Sequence, residues 1–93
     1  MATPASPRFT EVQGQYLAFI HAYTLVNGRA PAEADMQRFF EVTPPSVHNM
    51  VKTLERLGLI TRAARQARSI AVVVPEDELP RLRQPIKSSG ARY

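Results

Sequence analysis

A mostly α-helical fold, three helices closed by a small antiparallel β-hairpin, is what this 93-residue sequence predicts. Between residues 10 and 57 the apolar side chains recur at helical spacing in three blocks, divided at Asn27-Gly28 and again just before Thr43-Pro44. After Gly58 the pattern changes to two β-rich runs, Leu59-Ile60-Thr61-Arg62 and Arg68-Ser69-Ile70-Ala71-Val72-Val73-Val74, around a polar, arginine-bearing segment. With 44% hydrophobic and 22% charged residues the composition is that of a globular chain. A domain this small buries roughly 60% of its unfolded surface, which leaves little room for a deep catalytic cleft.

Residues 1–9, MATPASPRF, hold two prolines and no periodicity and read as a flexible arm. The folded domain, residues 10–75, opens on Thr10-Glu11-Val12-Gln13, a capping box in which the threonine hydroxyl and the glutamine amide each satisfy an orphan backbone donor. Val12, Tyr16, Phe19, Ile20, Tyr23 and Val26 form the core-facing stripe of the first helix, and His21 lies off it, at the surface. Asn27-Gly28 suits the left-handed C-cap. A short second helix from Ala32 or Glu33 to Phe40 buries Met36, Phe39 and Phe40, with Glu33 and Asp35 favoured in its first turn by the helix dipole.

A tight turn at Glu41-Val42 leads into the third helix, with Thr43 as N-cap and Pro44 at the first helical position, where a missing N–H costs nothing. Val47, Met50, Val51, Leu54 and Leu57 share its inward arc, and Gly58 supplies the left-handed exit. The hairpin tip, AARQARS, lacks an Asn-Gly or Gly-Gly turn, so its loop is expected to exceed two residues and to be mobile. Pro75 stops the second strand, and residues 76–93 form an acidic, then basic, tail with at most one helical turn.

Two helices joined by so short a turn, followed by an arginine-bearing hairpin, make a three-helix winged helix-turn-helix. The outward arc of the third helix carries Pro45, Asn49, Lys52 and Arg56, with His48 at its margin and Ser46 and Thr53 on the other flank. No acid lies on that arc, and its amide, imidazole, ammonium and guanidinium groups are the donors that phosphates and base edges require. Thr43 joins them at the helix N-terminus, a natural approach for a phosphate. Arg65 and Arg68 extend the surface onto the wing, toward the backbone or an adjacent minor groove. Charge agrees: of a net +4, residues 43–74 hold five Lys and Arg against the single acid Glu55. The expected partner is double-stranded DNA, with Asn49 first among base-reading residues, then His48 and Lys52. Homodimerisation on a two-fold operator is a further expectation, from the small contact area one such module offers.

Other classes fit less well. His21 and His48 have no Cys partners and no metal spacing, and no Gly-rich phosphate loop is present, so neither an enzyme nor a cofactor, metal or small-molecule site is expected. Absent Cys, no apolar run near 18 residues and an unremarkable N-terminus suggest a soluble, cytoplasmic protein without membrane contact. A winged-helix module that binds protein instead of DNA would share the fold. Such modules often lose the basic face that Lys52, Arg56, Arg65 and Arg68 supply here.

From about Phe9 to Pro75 the chain resembles the winged helix-turn-helix DNA-binding domain of LexA-type repressors, on the segments NGRAPAEADMQRFF, TPPSVHNMVKTLERLGLI and QARSIAVVV. The Leu-x-x-Leu-Gly-Leu-Ile junction, also found in MarR-type regulators, and the Ala-Arg-Ser-Ile step are its more specific elements. The resemblance implies DNA binding by the third helix and transcriptional regulation of repressor type. The best-known recognition helices of that family begin Ser-Pro-Asn and carry acids where this chain has His48 and Asn49, so their operator is not implied. These residues hold no counterpart of the family's self-cleaving, dimerising peptidase domain and imply no cleavage switch; the chain reads as a stand-alone regulator or a fragment.

Overall fold

The computed structural model describes residues 8–83. Along the chain these form α1 (Glu11–Asn27), α2 (Glu33–Phe40), α3 (Pro44–Arg56), β1 (Ile60–Thr61), β2 (Ala71–Val72) and a single 3-10 turn (Glu76–Glu78). The strands pair antiparallel, with Ile60 opposite Val72 and Thr61 opposite Ala71. Three helices followed by this two-stranded sheet are the mostly helical winged helix-turn-helix that the sequence predicts. The expectations for residues 1–7 and for the tail beyond residue 83 lie outside the described residues.

Local signals set the helix ends. The capping box of α1 is complete: Thr10 Oγ1 accepts the Gln13 N–H at 3.1 Å, and Gln13 Oε1 accepts the Thr10 N–H at 3.0 Å. Gly28, at φ 76°, ends the helix. In α2 the Asp35 carboxylate accepts the Ala32 N–H at 2.8 Å. Helix α3 exits through a Schellman motif, in which Gly58 (φ 78°) donates to Glu55 O at 3.0 Å and Leu59 donates to Leu54 O at 2.9 Å. Leu54 and Leu59, both buried, provide the apolar contact that accompanies this motif.

The core joins Tyr16, Leu17 and Ile20 of α1, Met36 and Phe40 of α2, Val47, Val51 and Leu54 of α3, and Ile60, Ile70 and Val74 around the hairpin. Tyr16 stacks on Phe40 with ring centroids 4.2 Å apart, and Phe19 meets Phe39 at 4.7 Å, locking α1 onto α2. Together these contacts set the angle at which α3 is presented.

Several expectations fail. Val26 does not reach the core: it is 82% exposed, because the last turn of α1 projects beyond the packed layer and Ala30 and Pro31 are buried in its place. Leu57 is 50% exposed, because the left-handed turn at Gly58 rotates the chain so that Leu59 takes the inward position. The expected hairpin does form, its strands two residues each and the Val73 N–H donating to Leu59 O at 2.9 Å beside them. His21 is half-buried, its Nε2 3.6 Å from Glu76 Oε2, since the chain after Pro75 turns back onto α1.

That return explains why α1 is buried all round from Gly14 to Ile20. Gln15 donates its amide to Arg81 O at 2.9 Å and accepts the Arg83 N–H at 2.8 Å, which straps residues 79–83 along the helix. Gly14 permits the close approach, since a Cβ there would sit 2.9 Å from the Phe9 ring and 3.0 Å from the Pro80 ring.

Candidate nucleic-acid interface

With Val47, Val51 and Leu54 fully buried, helical geometry turns the other side of α3 to solvent. Pro45, Ser46, His48, Asn49, Lys52 and Arg56 are exposed, and Thr53 is half-buried. At the N-terminus Thr43 Oγ1 accepts the Ser46 N–H at 3.3 Å and lies 3.0 Å from Ser46 Oγ, so the two hydroxyls form one polar corner. Thr43 and Pro44 together hold the start of α3 in one place. Seven predicted residues of α3, and Thr43 beside it, are thus brought to one surface.

A groove runs between α3 and the wing, lined by Asn49, Lys52, Thr53, Glu55, Arg56 and Arg62. It continues past Glu55 and Arg62 to residues 63–67 of the wing. Glu55, the acid that lines this groove, does not stand alone there: Arg62 Nε donates to its Oε1 at 3.0 Å. Arg62 Nη1 also lies 3.6 Å from Glu33 Oε2, and the same Glu33 oxygen is 3.4 Å from His48 Nδ1. A guanidinium from the end of β1 therefore ties α2 to α3 beside the groove and offsets the carboxylates of Glu55, which lines it, and of Glu33 on α2.

The two wing arginines part company. Arg65 is exposed in the turn that Gln66 N and Ala63 O close at 3.3 Å, and its backbone is left-handed at φ 62°. Arg68, also left-handed at φ 56°, turns its guanidinium into the body. Its Nη1 donates to Tyr23 Oη at 3.3 Å, Ala30 O at 3.2 Å and Asp35 Oδ2 at 3.2 Å, leaving the side chain 32% exposed. Ser69 pinches the wing base, its hydroxyl accepting the Ala63 N–H at 2.9 Å and donating to Ala63 O at 3.2 Å. Asp35 receives Arg38 as well as Arg68. The Ala32 N–H first, then the charges of Arg68 and Arg38, hold its carboxyl below the usual carboxylate range despite burial that acts the other way.

Sequence reasoning missed Arg62, Glu33 and Asp35 as parts of this surface. The two acids were assigned to the helix dipole, which explains their position in α2 and conceals their long-range partners. For Arg62 the only signal was an unpaired arginine in a strand beside an otherwise acid-poor helix. Among the described residues no helix is long and apolar enough to cross a membrane, and no group of three His, Cys, Asp or Glu is placed to hold a metal.

Comparison with known proteins agrees with this architecture. The family model described as the LexA DNA binding domain matches residues 6–69. The chain is 36% identical over 72 residues to the LexA repressor of Thermosipho melanesiensis, covering 77% of this chain and 36% of that protein. It is 39% identical over 64 residues to the LexA repressor of Thermosipho africanus, covering 69% and 32%. The LexA repressor of Zymomonas mobilis is 34% identical over 71 residues, covering 74% and 33%. The chain thus spans about a third of the length of the relatives it matches. Helix order, turn, wing and family match converge on one conclusion: the chain belongs to the LexA DNA-binding domain family.

Proposed function

We propose that the chain binds double-stranded DNA sequence-specifically, in the cytoplasm, as the reading head of a transcriptional repressor. The observation that carries this is the acid-free, solvent-facing arc of α3, continuous with a groove whose lining acid, Glu55, is already paired to Arg62. Helix α3 enters the major groove. Asn49 makes the first base contact, its amide suited to adenine N6 and N7, with His48 and Lys52 beside it. Thr43, Pro45, Ser46, Thr53 and Arg56 set the depth and register of the helix through the phosphate backbone. Arg65 follows the backbone from the wing, while Arg68 serves the same surface indirectly by fixing where the wing stands. The role is one of binding, with no catalytic step.

One module offers a small contact area, so a homodimer on paired half-sites completes the proposal. Selection from random duplexes at fixed salt tests the whole reading. An enriched motif in two symmetric halves is the expected result. A single unpaired half-site with a monomeric mass in solution removes the dimer, and a folded protein that enriches nothing and binds no duplex at low salt removes DNA binding itself, in favour of a protein partner.

A further inference from the structure

His48 is the one proposed base-reading side chain whose hydrogen-bonding character depends on where a proton sits. A neutral imidazole has one donor and one acceptor nitrogen, and its partner decides which is which. Here Nδ1 faces Glu33 Oε2 at 3.4 Å, and a carboxylate at neutral pH can only accept. The hydrogen therefore belongs on Nδ1, and Nε2, at the far edge of an exposed ring, keeps its lone pair. Arg62 Nη1, 3.6 Å from the same Glu33 oxygen, holds the carboxylate in place from the hairpin side.

In the major groove the base donors are the amino groups, adenine N6 and cytosine N4; guanine and thymine offer acceptors at the corresponding edge. We infer that Glu33 is a specificity-determining positioning residue: through its hydrogen bond it holds His48 as the Nδ1–H tautomer, so that Nε2 accepts from a base amino group. On the strand that His48 meets, the chain selects adenine or cytosine and disfavours guanine and thymine. This rests on the proposed placement of α3 in the major groove, and it gives Glu33, which touches no DNA, control over what His48 reads.

The test joins a spectroscopic and a binding measurement on the full chain at pH 8. Nitrogen-15 shifts of the His48 ring should show a protonated Nδ1 and an unprotonated Nε2 in the wild type. In Glu33→Gln, whose amide can either donate or accept, the ring should relax toward a mixture of tautomers. At the position whose preference His48→Ala abolishes, wild-type binding should favour adenine or cytosine by about tenfold, and Glu33→Gln should reduce that to about twofold or less, read as the ratio of affinities for duplexes that differ only at that base pair. A wild-type ring protonated on Nε2, a preference for guanine or thymine, or a Glu33→Gln variant that keeps the full preference each overturns the inference while leaving DNA binding standing. A folded wild type that binds no duplex overturns both.

Discussion

Helix α3 and the wing border the same groove, yet they are held in opposite ways. In α3 nearly everything is local: Thr43 and Pro44 start it, the Schellman turn at Gly58 ends it, and Val47, Val51 and Leu54 anchor the inward side. The wing has paired strands of two residues each, and none of its left-handed positions is a glycine. Its shape depends on Arg68, whose partners Tyr23, Ala30 and Asp35 lie 45, 38 and 33 residues away in sequence. A recognition helix with its own stops presents side chains at a fixed pitch. A wing braced by Arg68 has a position set by contacts that are distant in sequence.

This contrast can be broken at either end. The largest effect on stability is expected from Gly58→Val, because a β-branched residue held at φ 78° is strained by about 1–2 kcal/mol and weakens the Schellman turn. For a domain of this size that lowers the melting temperature by about 5–10 °C. An unchanged melting curve would show that α3 does not depend on its own stop signal. Next comes Arg68→Ala, which removes a donor shared by three acceptors and should lower the melting temperature by on the order of 5 °C. Hydrogen exchange should rise across residues 62–70 while α3 keeps its protection, and equal loss of protection in both would erase the distinction drawn here.

The same anchor predicts a pH dependence. The Asp35 carboxyl is held below its ordinary value by the Ala32 N–H, then by Arg68 and Arg38, so its contribution to stability is complete above the unfolded pKa of about 3.9. It disappears as pH falls through the lower folded value. Thermal melts of wild type and Asp35→Asn should therefore converge under acid and separate above about pH 4. Parallel curves throughout would mean that Asp35 is not the titrating partner.

The smallest effect is expected from Arg65→Ala. It should leave the melting temperature unchanged and the selected motif intact, and reduce the slope of log affinity against log salt by about 1, the signature of one lost phosphate contact. Arg68→Ala should weaken binding with little change in slope, since its charge is spent inside the body. Equal slope changes for the two would show that both arginines meet DNA.

The same division governs what could be read in advance. Thr10, Gly28, Thr43-Pro44 and Gly58 act on backbone groups within one turn of themselves, so their roles were legible from residue type and spacing. Leu57 and Val26 matched the helical period and still failed, because periodicity does not say where the packed layer stops or how a turn rotates the next residue. Gln15 lies off the apolar period of α1 and is buried all the same, because its amide bonds the backbone of residues 81 and 83, which come together with α1 only after folding. Arg68 and Arg62 followed the same rule: each was visible as a charge, while its partner on α2 was not.

The central claim is that α3 reads sequence while the wing adds only general affinity. The most direct measurement of it is the ratio of affinities for the selected duplex and a random duplex, at one salt concentration, in Asn49→Ala and Arg65→Ala. Asn49→Ala should cut the ratio by roughly tenfold or more, corresponding to the about 1–3 kcal/mol of one bidentate base contact, with random-duplex binding unchanged. Arg65→Ala should weaken both duplexes alike and leave the ratio as it was. A ratio that survives the loss of Asn49, or that falls with Arg65 instead, would contradict this division of labour.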